Sequence, residues 1–110
     1  MNPVAKELWL TALRSGEYEQ GKSYLNMNDR LCCLGVLSEE AIKSGVGVKR
    51  EQDQVDGLYY YDGQTAYPPR SVFMWAGFPE SVGLDTKLAN MNDQHGKTFL
   101  EIADWIEENL

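Results

Sequence analysis

The chain has 110 residues, 43% of them hydrophobic and 25% charged, with 17 Asp and Glu against 10 Lys and Arg for a net charge of −7. That length supports one hydrophobic core, so residues 1–110 are expected to form a single domain, and the ordinary globular composition excludes intrinsic disorder. The acidic balance weighs against a general DNA or RNA binder, whose phosphate contacts need clustered cations.

No apolar run approaches the roughly 18 residues that span a bilayer. The N-terminal stretch mixes charges with apolar residues, unlike a signal peptide. The two cysteines, Cys32 and Cys33, are neighbours and cannot staple distant segments. A reducing cytosol is therefore the expected compartment.

Along the chain, Asn2 is suited to be an N-cap, Pro3 to the first helical turn and Gly16 to the end of a first helix. Val4, Ala5, Leu8, Trp9 and Ala12 share one face of it, opposite Glu7, Thr11 and Arg14. Residues 22–26 and 30–34 read as two strands around a turn at Met27, Asn28 and Asp29. In the second strand Cys32 and Cys33 would point to opposite faces, one into the core and one accessible. A helix follows, with Leu34, Leu37, Ser38 and Ala41 on one face, Glu39 and Lys43 as an i,i+4 pair, and Gly45 at its end. Residues 46–57 are polar and read as a mobile loop.

LYYYDGQTAY has the pattern of a hairpin whose two-residue turn, Asp62-Gly63, requires positive φ at both positions. Its register places Tyr59 and Tyr61 on one face with Gln64 and Ala66, and Leu58, Tyr60, Thr65 and Tyr67 on the other. Pro68 and Pro69 end the hairpin and open a short helix through Ser71–Trp75, stopped by Gly77 and Pro79. An irregular stretch holding Leu84 and Leu88 precedes the last helix, which a Thr98–Glu101 capping box opens. Phe99, Ile102, Ala103, Ile106 and Leu110 form its apolar stripe. The expected class is α+β, with three to four helices packed on short antiparallel hairpins.

Four segments, LWLTALRSGEYEQGKSYL, CCLGVLSEEAIKSG, FMWAGF and LANMNDQHGKTFLEIADWIEENL, together resemble a family of small uncharacterised proteins encoded by bacteriophages and prophages. The resemblance covers nearly the whole chain except roughly residues 46–68. Where that family often carries a further cysteine, this chain has Ser38, which weighs against a three-cysteine metal or redox site. The resemblance implies a phage origin and an accessory role, with no chemistry to carry over to particular residues.

Four constellations carry the functional expectations. Cys32 or Cys33 with His95, oriented by Asp93 or Asn92, is the one possible thiol–imidazole set, and paired buried cysteines are its structural alternative. The neighbouring carboxylates Glu39-Glu40 and Glu107-Glu108 are expected on solvated helix faces rather than in an acid–base cleft. Glu101, Asp104, Glu107 and Glu108 make the last helix acidic towards its C-terminus, against the helix dipole, and offer either a docking face for a basic partner or a soluble end.

The aromatic run including Tyr59, Tyr61 and Trp75, with Arg70 beside it, suits either a stacked ligand, a self-association surface or packing against a helix. Tyr18, Gln20, Lys22, Asn92, Asp93, His95 and Lys97 either converge on a small ligand or close turns. No metal or cofactor is implied, since no C-x-x-C or phosphate-binding glycine motif is present. The expected function is a phage-encoded, non-catalytic binding protein in the host cytoplasm that interferes with a host process such as antiphage defence. It would capture a host protein through its acidic face or sequester a small nucleotide-like ligand, as a monomer or a homo-oligomer and away from membranes. The alternative is a small hydrolase or transferase using Cys32 or Cys33 with His95.

Overall fold

Asn2 closes the start of the first helix: its Oδ1 accepts from the Val4 N–H at 2.8 Å and the Ala5 N–H at 3.2 Å. In the computed structural model, which describes residues 1–78 and 83–110, this helix, α1, spans Pro3–Ser15 and ends on Gly16 at φ 77°. It buries Ala5, Trp9, Leu10, Ala12 and Leu13. Val4 and Leu8 are exposed, so the buried stripe is turned towards Leu10 and Leu13. The cause is tertiary, because α1 is gripped between α2 (Cys33–Lys43) and α5 (Phe99–Asn109).

Strands β1 (Glu19–Gln20), β2 (Asn26–Met27) and β3 (Arg30–Leu31) form a sheet in the order β1-β3-β2. The β2–β3 hairpin turns on Asn28 and Asp29, at φ 52° and 65°, the left-handed pair that a two-residue turn needs. Met27 therefore belongs to the strand rather than the turn. The parallel pairing of β1 with β3 departs from an all-antiparallel scheme. Cys32 and Cys33 also depart from expectation, since the chain leaves the sheet after Leu31 and Cys32 is the N-cap of α2. Both sulfurs consequently go into the core, with Cys32 at 3% exposure and Cys33 at 0%.

The tyrosine strand β5 (Tyr59–Tyr61) pairs antiparallel with β4 (Arg50–Gln52), which lies inside the segment read as a loop. Asp62 and Gly63 make the expected turn, at φ 51° and 81°, and Tyr61 and Gln64 exchange two 2.9 Å backbone bonds. The second arm stops there. Thr65 O instead accepts from the Leu25 N–H at 2.7 Å, and Pro68-Pro69 lead into α3 (Arg70–Ala76), which ends on Gly77. Pro79, expected as the stop, lies outside the described residues.

The stretch read as irregular is a helix, α4 (Leu84–Asp93). The capping box of α5 forms, with Thr98 Oγ1 accepting from the Glu101 N–H at 3.2 Å and Glu101 Oε1 from the Thr98 N–H at 3.0 Å. The α+β domain thus has five helices and two small sheets among the described residues. One core joins Trp9, Leu25, Leu34, Leu37, Tyr61, Leu88 and Ile106. No helix among the described residues is long and apolar enough to cross a membrane.

Close packing of α2 on the chain entering β2 depends on Gly35, where an added Cβ would overlap the Leu25 carbonyl. Gly35→Ala is expected to lower the unfolding free energy by at least ~2 kcal/mol through overpacking. Gly47→Ala, which meets nothing within 4 Å, should leave the urea midpoint nearly unchanged. Equal midpoints for the two variants would contradict this contact.

Candidate functional site

Gln20 on β1 and Asn92 on α4 do converge, on each other. Gln20 Nε2 donates to Asn92 Oδ1 and to Lys97 O, both at 2.8 Å, and Gln20 Oε1 accepts from the Phe99 N–H at 3.1 Å. Asn92, fully buried, also accepts from the Cys33 N–H at 3.3 Å and donates to Gly21 O and Asp93 Oδ1, each at 2.8 Å. Asp93 Oδ1 further accepts from the Ser23 N–H at 3.0 Å. Every N–H of both amides is therefore given to protein and both oxygens accept from protein, so their hydrogen bonds hold the fold together rather than a ligand. Lys22 lies exposed beside this clasp. Tyr18 is drawn elsewhere, donating its hydroxyl to Glu40 and accepting from Lys43 Nζ, both at 2.8 Å.

The thiol–imidazole set is not assembled. Burial pushes the Cys32 thiol up to about 11 and the Cys33 thiol well above its ordinary value. Cys33 Sγ donates to Leu88 O at 3.6 Å. A nucleophilic cysteine needs the opposite setting, exposed and electropositive. His95 is exposed and lines a cleft that contains neither cysteine. Asp93, nominated to orient it, is committed to the clasp. Among the described residues no group of three His, Cys, Asp or Glu is placed to hold a metal ion.

The acidic face of α5 is largely answered from α1. Arg14 reaches Asp104 at 2.9 Å and Glu107 at 3.2 Å, and Lys6 Nζ donates to Glu107 O at 3.0 Å, supplying the cation that the last turn of α5 lacks. Glu101 is engaged in its capping box, where the Thr98 backbone N–H holds its carboxyl below the usual range. Of the four acids, Glu108 alone has no side-chain partner among the described residues. Glu39 also differs from expectation. It is 8% exposed, accepts from Tyr61 and Arg50, and leaves Glu40 to pair with Lys43 at 3.3 Å.

The aromatic run divides between two places. Trp75 is half-buried and packs on the core, while Arg70 lines a cavity of about 620 Å³ with Asp62, Pro68 and Phe73. Tyr59 instead lines a smaller cleft of about 280 Å³ with Tyr18, Asn26, Asp29, Glu39 and Arg50. Tyr61 stands behind it, fully buried, its hydroxyl 2.7 Å from Glu39 Oε2. Burial, and then that bond to Glu39, raise the Tyr61 hydroxyl above its ordinary range.

A third cleft, of about 560 Å³, opens between α4 and α5. Lys87, His95 and Lys97 line it with Met91 and Trp105, and the Lys87 ammonium stands 5.0 Å from the centre of the Trp105 ring. Among the described residues no carboxylate lines it. Lys97 is 4.0 Å from Glu101, a loose ion pair on an exposed face. His95 and Lys97 were singled out in sequence, but Lys87 and Trp105 were not, because they sit on separate helices and each alone is an ordinary surface side chain.

These features define a small α+β domain with core thiols, a closed amide clasp and polar clefts at its surface. Over residues 1–110 the chain matches a family described as a domain of unknown function, DUF8296, and it belongs to that family. No curated protein and no solved structure matches it.

The buried thiols have a measurable consequence. A group whose folded pKa is raised contributes stability below its unfolded pKa and loses it as pH rises towards the folded value. Unfolding stability should therefore fall between pH 9.0 and about 11 through Cys32, with Cys33 and Tyr61 adding to the loss. A Cys32→Ala variant should show a shallower decline in its urea midpoint. At pH 8 a thiol-specific disulfide reagent should label the cysteines only after unfolding, and rapid labelling of the native protein would contradict their burial.

Proposed function

We propose that the protein is a non-catalytic binding protein that sequesters a small nucleotide-like anion in the cleft between α4 and α5. The supporting observation is a local inversion of charge. On a chain of net charge −7, the described residues that line this cleft include Lys87, His95 and Lys97 and no carboxylate. Trp105 forms part of its wall, and a base stacked on an aromatic ring gains about 1–3 kcal/mol. The lysines would hold the phosphate, and removal of free ligand by mass action would suffice for activity without any bond being made or broken.

The setting proposed with it is phage-encoded action in the host cytoplasm against a host process such as antiphage defence, supported by the resemblance of the four sequence segments. Capture of a host protein by the α5 acids has less support, since Arg14 and the capping box already engage Glu101, Asp104 and Glu107. Cysteine-dependent hydrolysis or transfer has less support still, given the burial of both thiols.

Titration with nucleoside 5′-monophosphates, followed by tryptophan fluorescence and calorimetry, tests this reading. Saturable binding is expected that weakens with added salt. Trp105→Ala should weaken it at least about tenfold, the loss of one stacking contact. Combined Lys87→Gln and Lys97→Gln should weaken it and flatten the salt dependence. A folded Trp105→Ala variant that binds as tightly as the parent, or no saturable binding by the parent, would overturn the proposal.

A further inference from the structure

The smaller cleft presents a different chemistry, read from one buried amide. Asn26 on β2 is 3% exposed and lines the cleft, and its Oδ1 has no hydrogen-bond partner among the described residues. The neighbouring bonds settle which way the amide points. Tyr61 has a single phenolic proton and gives it to Glu39 Oε2 at 2.7 Å. Its oxygen can then only accept, and Asn26 Nδ2 is the donor at 3.3 Å. Asn26 Oδ1 is left as a buried acceptor without a donor, on a residue that lines the cleft. A buried acceptor without a donor is unfavourable, so this position calls for an N–H or O–H.

Charge narrows the donor. Glu17, Asp29 and Glu39 line the cleft against one cation, Arg50, which is itself paired with Glu39. An anion is disfavoured there. The tyrosine hydroxyls are committed, Tyr59 to Asp29 at 2.9 Å and Tyr18 to Glu40 and Lys43, so these side chains contribute their rings. Both rings already face cations, Lys43 at 5.0 Å from the Tyr18 centre and Arg50 at 5.9 Å from that of Tyr59.

We propose that this cleft binds a small aliphatic primary amine, whose ammonium donates to Asn26 Oδ1 and rests against Asp29 and Glu39. It is independent of the anion cleft between α4 and α5, and of any nucleotide bound there.

The test uses 1,4-diaminobutane as probe and tetramethylammonium, a cation without N–H groups, as control. Binding is read by calorimetry and by the Asn26 side-chain amide resonances. The diamine should bind saturably and shift those resonances, and tetramethylammonium at the same concentration should not. Asn26→Ala should weaken diamine binding at least tenfold. Because Asn26 is buried, Asp29→Asn serves as a second variant that keeps the turn, since asparagine also accepts the left-handed backbone there. It should weaken binding several-fold with an unchanged urea midpoint. Absence of saturable diamine binding, equal responses to the two cations, or undiminished affinity in a folded Asp29→Asn variant would each overturn the proposal.

Discussion

The Asn92 carboxamide is the joint on which this domain turns. It is fully buried, and it receives the Cys33 N–H that α2 leaves unpaired, because the N-cap Cys32 makes no side-chain cap of its own. Through Gln20 the same network reaches the start of α5, where the Phe99 N–H is another orphan donor. One pair of amides therefore closes two helix N-termini and ties β1 to α4. Each of these groups would be costly to bury alone, so the four segments are stable in this arrangement only together.

This joint also decides what the surface can do. Gln20, Asn92 and Asp93 carry the donor and acceptor types of a ligand site, but their bonds are spent inside the fold. The same holds for Asp104 and Glu107 of α5, which face Arg14 and Lys6 across the α1 interface. Net charge consequently misdescribes the molecule. Two of the surface clefts have opposite character, one lined by lysines and a tryptophan, the other by carboxylates and tyrosines.

Local signals in the sequence were legible wherever the structure is locally determined. Asn2, Pro3 and Gly16 mark α1, Thr98 and Glu101 open α5, and Asp62-Gly63 makes its turn, because each device acts within a few residues. What stayed hidden depends on distant partners. The α2 helix starts at Cys33 because its N-terminus is closed from α4, fifty-nine positions along the chain. The helix α4 buries Leu88, Ala89 and Asn92, and a polar member breaks the apolar stripe that would announce it. The strand β4 is the polar tripeptide Arg-Glu-Gln, ordered by its tyrosine partner rather than by its own propensity. The clefts were beyond sequence reasoning for the same reason, since Asn26, Glu39, Arg50 and Tyr59 come from four elements and Lys87 and Trp105 from two more.

The clasp is tested most directly by a double-mutant cycle on Gln20→Ala and Asn92→Ala, with unfolding free energies from urea titration. Groups sharing one buried hydrogen-bond network couple, so the double variant should depart from the sum of the single ones by about 1–3 kcal/mol. Additivity within about 0.3 kcal/mol would mean that the two amides act independently, and would contradict the account.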